Sequence, residues 1–411
     1  MKSVLAVDVA KDKSMVALIT EYGEILIEPY EVIHNLNNFN ELEDKISRFN
    51  LDNVTIIMES TSTYHKPIQR YFKENNYKVD VINPILGKQN KRNLRKTKTD
   101  KEDCYNLSDF YFKNTFKIHP LNTDDIYDNL NNLSRQYLHF TESLVRSKNR
   151  FKQLISSTFP EYIKCFVGSD IFGKTSMNFI KEFPHADIIK EKRIDALAYN
   201  LYKSGNKCSS YKRCENKADK IKQLAKNSYP GVSKDSKEVS NLVSIVDSIL
   251  FIEKQLKDCE IDMITLASKT KYFELINSIY GIGELATSQI IAELRDINRF
   301  SNVKQLNAYC GLDPTIIQSG KSINYHGPIS KRGNKTARKV LFISCCSIIR
   351  TTILHNKEND ITNYFRKKQA EGKHFNECII ACSTKLLRII FAMCKNNSKF
   401  KNHGYVVVFE G

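Results

Sequence analysis

An aspartate sits inside the apolar run Val4–Val9, near the start of this 411-residue chain. A short continuous apolar run reads as a buried central strand. A carboxylate within such a strand is costly to bury unless it is paired or ligates a cation. Asp8 therefore restricts the chain to folds in which the first strand lies inside a sheet and its end meets positive charge. The pattern that follows supplies the sheet. Ser14–Thr20 and Glu24–Glu28 come after Lys/Asp and Tyr-Gly turns, which makes the first three strands a meander. Phe39–Phe49 predicts an amphipathic helix, Val54–Met58 a fourth strand, His65–Asn75 a helix and Tyr77–Ile82 a fifth strand. A basic loop then leads to a helix beginning near Thr99.

The order βββαβαβα over residues 1–120 is that of an α/β RNase H-like fold. In such a sheet the first and fourth strands are neighbours, so Asp8 can converge with Glu59, which stands just past the fourth strand. Asp100 and Asp103 in KTDKED are three apart and share one helix face. The last helix packs across the same end of the sheet and brings both acids with it. Four carboxylates suit one or two Mg²⁺ or Mn²⁺ ions, which take oxygen ligands. A metal pair about 4 Å apart can clamp the attacking and leaving oxygens of a phosphodiester. Taken singly, Asp103 also fits a solvated helix residue and Asp100 a helix cap.

A formal net charge of +17 favours a polyanionic partner, of which nucleic acid is the common case. The run KQNKRNLRKTK carries Lys88, Lys91, Arg92, Arg95, Lys96 and Lys98 with no acid. Beside an acidic metal site it most simply binds the backbone whose phosphate is cut, the alternative being a solvated basic loop. No apolar run approaches the roughly 20 residues that cross a bilayer. No small-residue cleavage site follows the N-terminus. A cytoplasmic, nucleoid-associated bacterial protein without a membrane partner is expected. The 11 cysteines show no CxxC pair and are expected to be reduced and mostly buried rather than zinc ligands.

Residues 121–270 read as helical. Leu130, Leu133, Tyr137, Phe140, Leu144, Phe151 and Leu154 follow one heptad, and Leu242, Ile245, Ile249, Ile252, Leu256, Cys259 and Met263 another. They form either two arms of one antiparallel coiled coil or a dimer seam. The polar, basic stretch Lys203–Lys220 between them reads as a loop. Residues 271–411 read as a mainly α domain. YGIGELATSQIIAEL has the form of a helix-hairpin-helix element, in which Gly281 and Gly283 free backbone N–H groups for a phosphate or simply make a turn. Ser319-Gly320 then lies in a loop after a proline turn, with Lys321, His326, Lys331, Arg332, Lys335 and Arg338 close behind. A serine hydroxyl beside several cations can attack a phosphate and have the new charge stabilised. Ser330, in ISKRGNK, competes for that role.

With these residues in view, the chain resembles the insertion-sequence one-ten family of transposases, RuvC-like DEDD transposases described as bridge-RNA-guided recombinases. AVDVAK, ESTSTYH and KTDKEDC fall in order on that family's first domain. GIGELATSQIIAEL, LNAYCGLDP, QSGKS, ISKRGNK and the late YFRKKQAEGKHFNECIIACSTKLLRIIFA resemble its C-terminal transposase domain. The resemblance implies that Asp8, Glu59, Asp100 and Asp103 form the DEDD set and that Ser319 attacks DNA and becomes linked to it. It further implies donor and target DNA, a guide (bridge) noncoding RNA and a homo-oligomer, dimer or tetramer, as partners. One departure is visible: the family reads E-x-T-G-x-Y, and Ser62 stands where glycine is expected.

Other readings explain less. A metal-dependent RuvC-like nuclease or Holliday-junction resolvase needs only the first domain and leaves the Ser319 region without a purpose. An actin-like ATPase needs a second phosphate loop and a glycine-rich adenosine site, and neither is present. A non-catalytic RNA-binding scaffold does not require four intact acids and a serine.

Overall fold

The computed structural model describes residues 2–49, 51, 53–60, 63–82, 100–113, 125–166, 170–205, 210–319 and 323–402. The chain divides into two units, residues 1–124 and 125–411.

Unit 1 contains β1 (Lys2–Val9), β2 (Lys13–Thr20), β3 (Ile25–Ile33), α1 (Leu36–Ser47), β4 (Asn53–Glu59), α2 (Lys66–Glu74), β5 (Lys78–Ile82) and α3 (Asp100–Lys113). The sheet order is β3-β2-β1-β4-β5, with β1 antiparallel to β2 and parallel to β4. The apolar run predicted a central strand, and β1 is central. Its alternation divides the core in two. Leu5, Val7 and Val9 share one face with Ile56 and Met58 and pack under Phe39, Leu42 and Ile46 of α1 and Ile68 and Phe72 of α2. Val4 and Ala6 share the other face with Ala17, Ile57 and Ile82 and pack under Cys104, Leu107 and Phe110 of α3. This mixed five-stranded sheet is consistent with an RNase H-like domain. One boundary differs. β3 runs through Pro29 to Ile33, where the sequence suggested an end at Glu28. Proline is tolerated there because β3 is an edge strand, on which a missing N–H can face outward.

Unit 2 is built on two long helices, α4 (Asp125–Thr158) and α10 (Lys237–Ala267). They pack antiparallel within the chain. Tyr127 and Leu130 meet Met263 and Ala267 at one end, and Phe151 and Leu154 meet Leu242 and Val246 at the other. Between these ends the Cys259 thiol donates to the Leu133 carbonyl at 3.4 Å, and Lys148 pairs with Glu253 at 2.9 Å. The two heptad stretches are therefore partners in one chain.

Between the long helices lie α5 (Tyr162–Cys165), α6 (Lys174–Glu182), α7 (Ala186–Glu191), α8 (Ile194–Ser204) and α9 (Tyr211–Asn227). The loop expected over Lys203–Lys220 is for the most part helix α9. Cys214, Ala218, Ile221 and Ala225 give it a buried stripe, and the Ser210 side chain caps its start by accepting from the Arg213 N–H. The stripe is made largely of small residues among lysines, so hydropathy hides it.

The remainder comprises α11 (Phe273–Asn277), α12 (Glu284–Leu294), a 3-10 turn (Ile297–Arg299), α13 (Val303–Cys310), β6 (Pro314–Ser319), β7 (Ile323–Ile329), α14 (Lys335–Leu354), α15 (Asp360–Ala370) and α16 (Phe375–Lys395). The β6–β7 hairpin corrects the expectation of helices and loops alone. Thr315, Ile316 and Ile317 in β6 and Ile323 and Tyr325 in β7 supply the β-branched and aromatic residues that favour strands. No helix among the described residues is long and apolar enough to cross a membrane. The ten cysteines among the described residues are all free thiols, eight of them buried, so no disulfide among these ten holds the fold.

The far end of the helix pair depends on fully buried Phe151. Phe151→Ala should lower the unfolding free energy by about 3–5 kcal/mol, read as a shift of the urea midpoint. A shift under about 1 kcal/mol would show that this end of the pair is not a true core.

Candidate functional site

The strand alternation places Asp8 and Glu59. Each is two residues beyond a member of the α3-facing core, Ala6 and Ile57 respectively, so each lies on the face that α3 covers. Both are partly buried, and Glu59 is the last residue of β4 rather than just past it. The direction of α3 follows from two contacts. The Cys104 thiol donates to the carbonyl of Met15, the residue paired with Asp8. The Tyr111 hydroxyl donates to Thr55, which pairs with Val4 near the other end of β1. The first turn of α3 therefore lies at the sheet end that carries Asp8. Asp103 precedes Cys104 and Leu107, which pack on the sheet, and Asp100 is the first residue of α3.

A carboxylate-only donor set suits an oxygen-seeking divalent cation better than zinc. The neighbouring Cys104 thiol is engaged with the Met15 carbonyl. Among the described residues no three His, Cys, Asp or Glu side chains form a ready-made metal cluster. The side chain of Asp100 lies outside the described residues, as do Ser62 and the whole run Lys88–Lys98, with Arg92, Arg95 and Lys96.

In unit 2 the backbone of Ser319 ends β6 and pairs with Ile323. Its place at the end of a strand replaces the loop expected from the sequence. Gly320 and Lys321 lie outside the described residues. The base of this hairpin is pinned. The Ser330 hydroxyl donates to Asp313 Oδ1 at 2.7 Å, and the Ser330 N–H donates to the Asp313 carbonyl. The hydroxyl of the competing serine is thus committed to closing the hairpin. Behind it, Gly311 (φ +64°) and Gly333 approach so closely that a Cβ on Gly333 would lie 2.2 Å from the Tyr309 carbonyl oxygen. Arg338 Nη1 donates to the Cys310 carbonyl at 2.8 Å. Burial pushes the Cys310 thiol up to about 12, against the pull of Arg299 and Arg338. Lys331, Arg332 and Lys335 are exposed around the start of α14.

The two glycines of the GIG element differ. At Gly281 (φ +95°) a Cβ would lie 2.7 Å from Ile348 Cα, and the Gly281 carbonyl accepts from Ser347. Packing against α14 accounts for it. Gly283 caps α12, is exposed and has open space around it.

Sequence reasoning missed the most buried charge in this region. Glu293 of α12 is 0% exposed. Its carboxylate accepts from Arg135 Nη2 and Asn334 Nδ2, both at 2.8 Å, and from the Ser134 hydroxyl at 3.2 Å. Arg135 also reaches Thr336, and the Tyr309 hydroxyl donates to the Glu293 carbonyl. Asn334 in turn caps α14 by accepting from Thr336 and Ala337. The only sequence signal was an acid inside the apolar stretch SQIIAEL. Asp80 was also missed. It is buried on the α3 side of the sheet, paired with Ile57, and burial raises its carboxyl pKa against the pull of Lys78 at 3.4 Å.

Residues 5–160 match a family described as DEDD_Tnp_IS110, transposase, and residues 273–359 match the transposase IS116/IS110/IS902 family. The chain is similar to the pilin gene-inverting protein of Moraxella bovis, at 22% identity over 86% of this chain and 83% of that one. The pilin gene-inverting protein of Moraxella lacunata is 21% identical over 97% and 98%. The transposase for insertion sequence element IS1111A of Coxiella burnetii is 26% identical over 42% and 45%.

Removing Arg135 takes the strongest donor from a buried carboxylate. Arg135→Ala should cost about 2 kcal/mol in a chemical denaturation series, since a hydrogen bond to a charged group contributes about 1.5–3 kcal/mol. Gly333→Ala should destabilise by about 3 kcal/mol by forcing backbone apart. Wild-type midpoints in both would show that the platform is not held as described.

Proposed function

Because the chain belongs to the IS110 family of transposases and is a DNA transposase or recombinase, we propose that it cuts and rejoins DNA through two chemical centres. One is the acidic end of the RuvC-like sheet in unit 1; the other is Ser319 in unit 2. The observation that carries this reading is the alternation of β1 and β4, which puts Asp8 and Glu59 under the helix whose first turn bears Asp100 and Asp103. In this reading residues 1–120 form the acidic domain, 121–270 the helical linker and 271–411 the serine domain.

Asp8, Glu59, Asp100 and Asp103 would hold the divalent cation that the family implies in general; an all-oxygen donor set suits Mg²⁺ or Mn²⁺. Such a cation neutralises charge on phosphate oxygens. The chain's own step is transesterification. Ser319 Oγ attacks phosphorus, and the bond from phosphorus to one sugar oxygen breaks. The serine proton passes to a base, and the departing oxygen is protonated and leaves as a free hydroxyl. A hydroxyl of a second strand later attacks the phosphoserine, restoring the serine and sealing the strand. The phosphoester bond energy is conserved, so no external energy source is needed. Inversion of a gene, the reaction in the printed name of the Moraxella proteins, needs DNA to be cut and rejoined by some such route.

Lys88, Arg92, Arg95, Lys96 and Lys98, with Gly281, Gly283, Lys321, Lys331, Arg332 and Lys335, are proposed to hold nucleic-acid backbone. Donor and target DNA are the substrates, a guide RNA selects them, and a homo-oligomer brings the two centres together.

Asp8→Asn should lose strand exchange by about a thousandfold or more while keeping its far-ultraviolet spectrum, and EDTA should do the same to wild type. Ser319→Ala should still bind DNA but form no covalent adduct on labelled DNA. Cleavage that persists in Ser319→Ala would favour a metal-only nuclease, and an adduct mapped to Ser330 would move the nucleophile. Replacing Arg92, Arg95 and Lys96 with alanine should flatten the salt dependence of binding.

A further inference from the structure

Residues 161–272 fall between the two family matches, and in this segment α8 and α9 carry a surface that the chemistry above does not use. Their inner faces are closed: Leu197, Ala198 and Leu201 of α8 and Cys214, Ala218, Ile221 and Ala225 of α9 join one buried core. Their outer faces are not. Tyr199 is 60% exposed, Tyr202 48% and Tyr211 40%. Tyr202 and Tyr211 stand edge to face, ring centroids 5.6 Å apart, where the end of α8 meets the start of α9. Lys203, Lys212 and Arg213 are exposed beside them, and Lys220 and Lys226 continue along α9. Between Lys203 and Lys226 eight lysines and arginines stand against two acids, Glu215 and Asp219. Among the described residues the one ion pair these cations make is Lys212 with Glu215, at 3.7 Å. Lys217 is used differently: it lies over the Phe166 ring and is partly buried.

We propose that this end of α8 and α9 binds single-stranded nucleic acid, with unpaired bases stacking on Tyr202 and Tyr211 and phosphates held by Lys203, Lys212 and Arg213. The chemistry selects this ligand. Exposed aromatic faces among exposed cations match alternating base faces and phosphates, and base–aromatic stacking tolerates any sequence. A duplex offers phosphates but no free base faces, so it would use the lysines and leave the tyrosines idle. An anionic membrane would call for an aliphatic face, and Ile194 is the one large exposed aliphatic on these two helices.

The test measures binding alone, so its failure leaves the two chemical centres untouched. Fluorescence anisotropy with the full chain would compare a labelled 20-nucleotide unstructured RNA, the same DNA strand, its duplex and phosphatidylserine vesicles. Tyr202→Ala with Tyr211→Ala should weaken single-strand binding at least about thirtyfold, the loss of two base stacks, with duplex affinity unchanged. Tyr202→Phe with Tyr211→Phe should keep wild-type affinity, which separates stacking from misfolding. Lys203→Ala with Arg213→Ala should reduce the salt slope on single strands. Tighter binding of RNA than of DNA would assign an RNA strand that offers its 2′-hydroxyls, and the converse a displaced DNA strand; either supports the site. Unchanged single-strand affinity in the alanine pair, an equal loss on duplex, or a loss confined to vesicles would overturn it.

Discussion

The carboxylate of Glu293 is the point on which the second unit turns. A charge with no solvent exposure must be neutralised by its own chain, and the groups that do so come from distant stretches of sequence. Arg135 and Ser134 belong to α4, Asn334 to the start of α14 and Tyr309 to α13. Meeting the demand of one buried acid therefore fixes the long helix, the start of α14 and the end of α13 against α12. The β6–β7 hairpin grows out of this junction. Asp313 and Ser330 tie its two feet together, and Gly311 and Gly333 allow the backbones beneath it to touch. The far end, where Ser319 pairs with Ile323, is carried by that base.

Unit 1 obeys a different constraint, the two-residue period of its central strand. Because β1 is covered on both faces, each side chain must serve one core or the other, and Asp8 falls in register with Val4 and Ala6 under α3. Glu59 follows Ile57 in the same way on the adjacent parallel strand. The sheet's topology is thus enough to set two acids side by side, and the tie between Cys104 and Met15 brings the start of α3 to them.

Much of this was legible in the sequence, for physical reasons. Strands of apolar, β-branched residues and helices with clear apolar stripes show themselves by period, so the order of unit 1 and the two heptads could be read directly. What escaped reading depended on tertiary context. Helix α9 hides its stripe because alanine and cysteine carry little hydropathy signal. The hairpin around Ser319 is built from two short strands, too few residues for their period to stand out. The hydrogen bond of Ser330 to Asp313 and the close packing of Gly281 on Ile348 were equally unreadable, because both partners are set by the tertiary fold. Glu293 could not be recognised, since its partners lie at positions 134, 135 and 334.

The length of α4 has a consequence for how such a chain can diversify. Its 34 residues rise about 50 Å. One end is built into the core that holds the hairpin, and the other into a separate core shared with α6, α8 and α9. The excursion between Thr158 and Lys237 is therefore a cassette at the end of a boom. Drift, insertion or replacement there is felt first in the outer core, which the excursion shares with one end of α4 and of α10. Selection can refit the outer end for a new partner while the apparatus at the inner end is inherited unchanged.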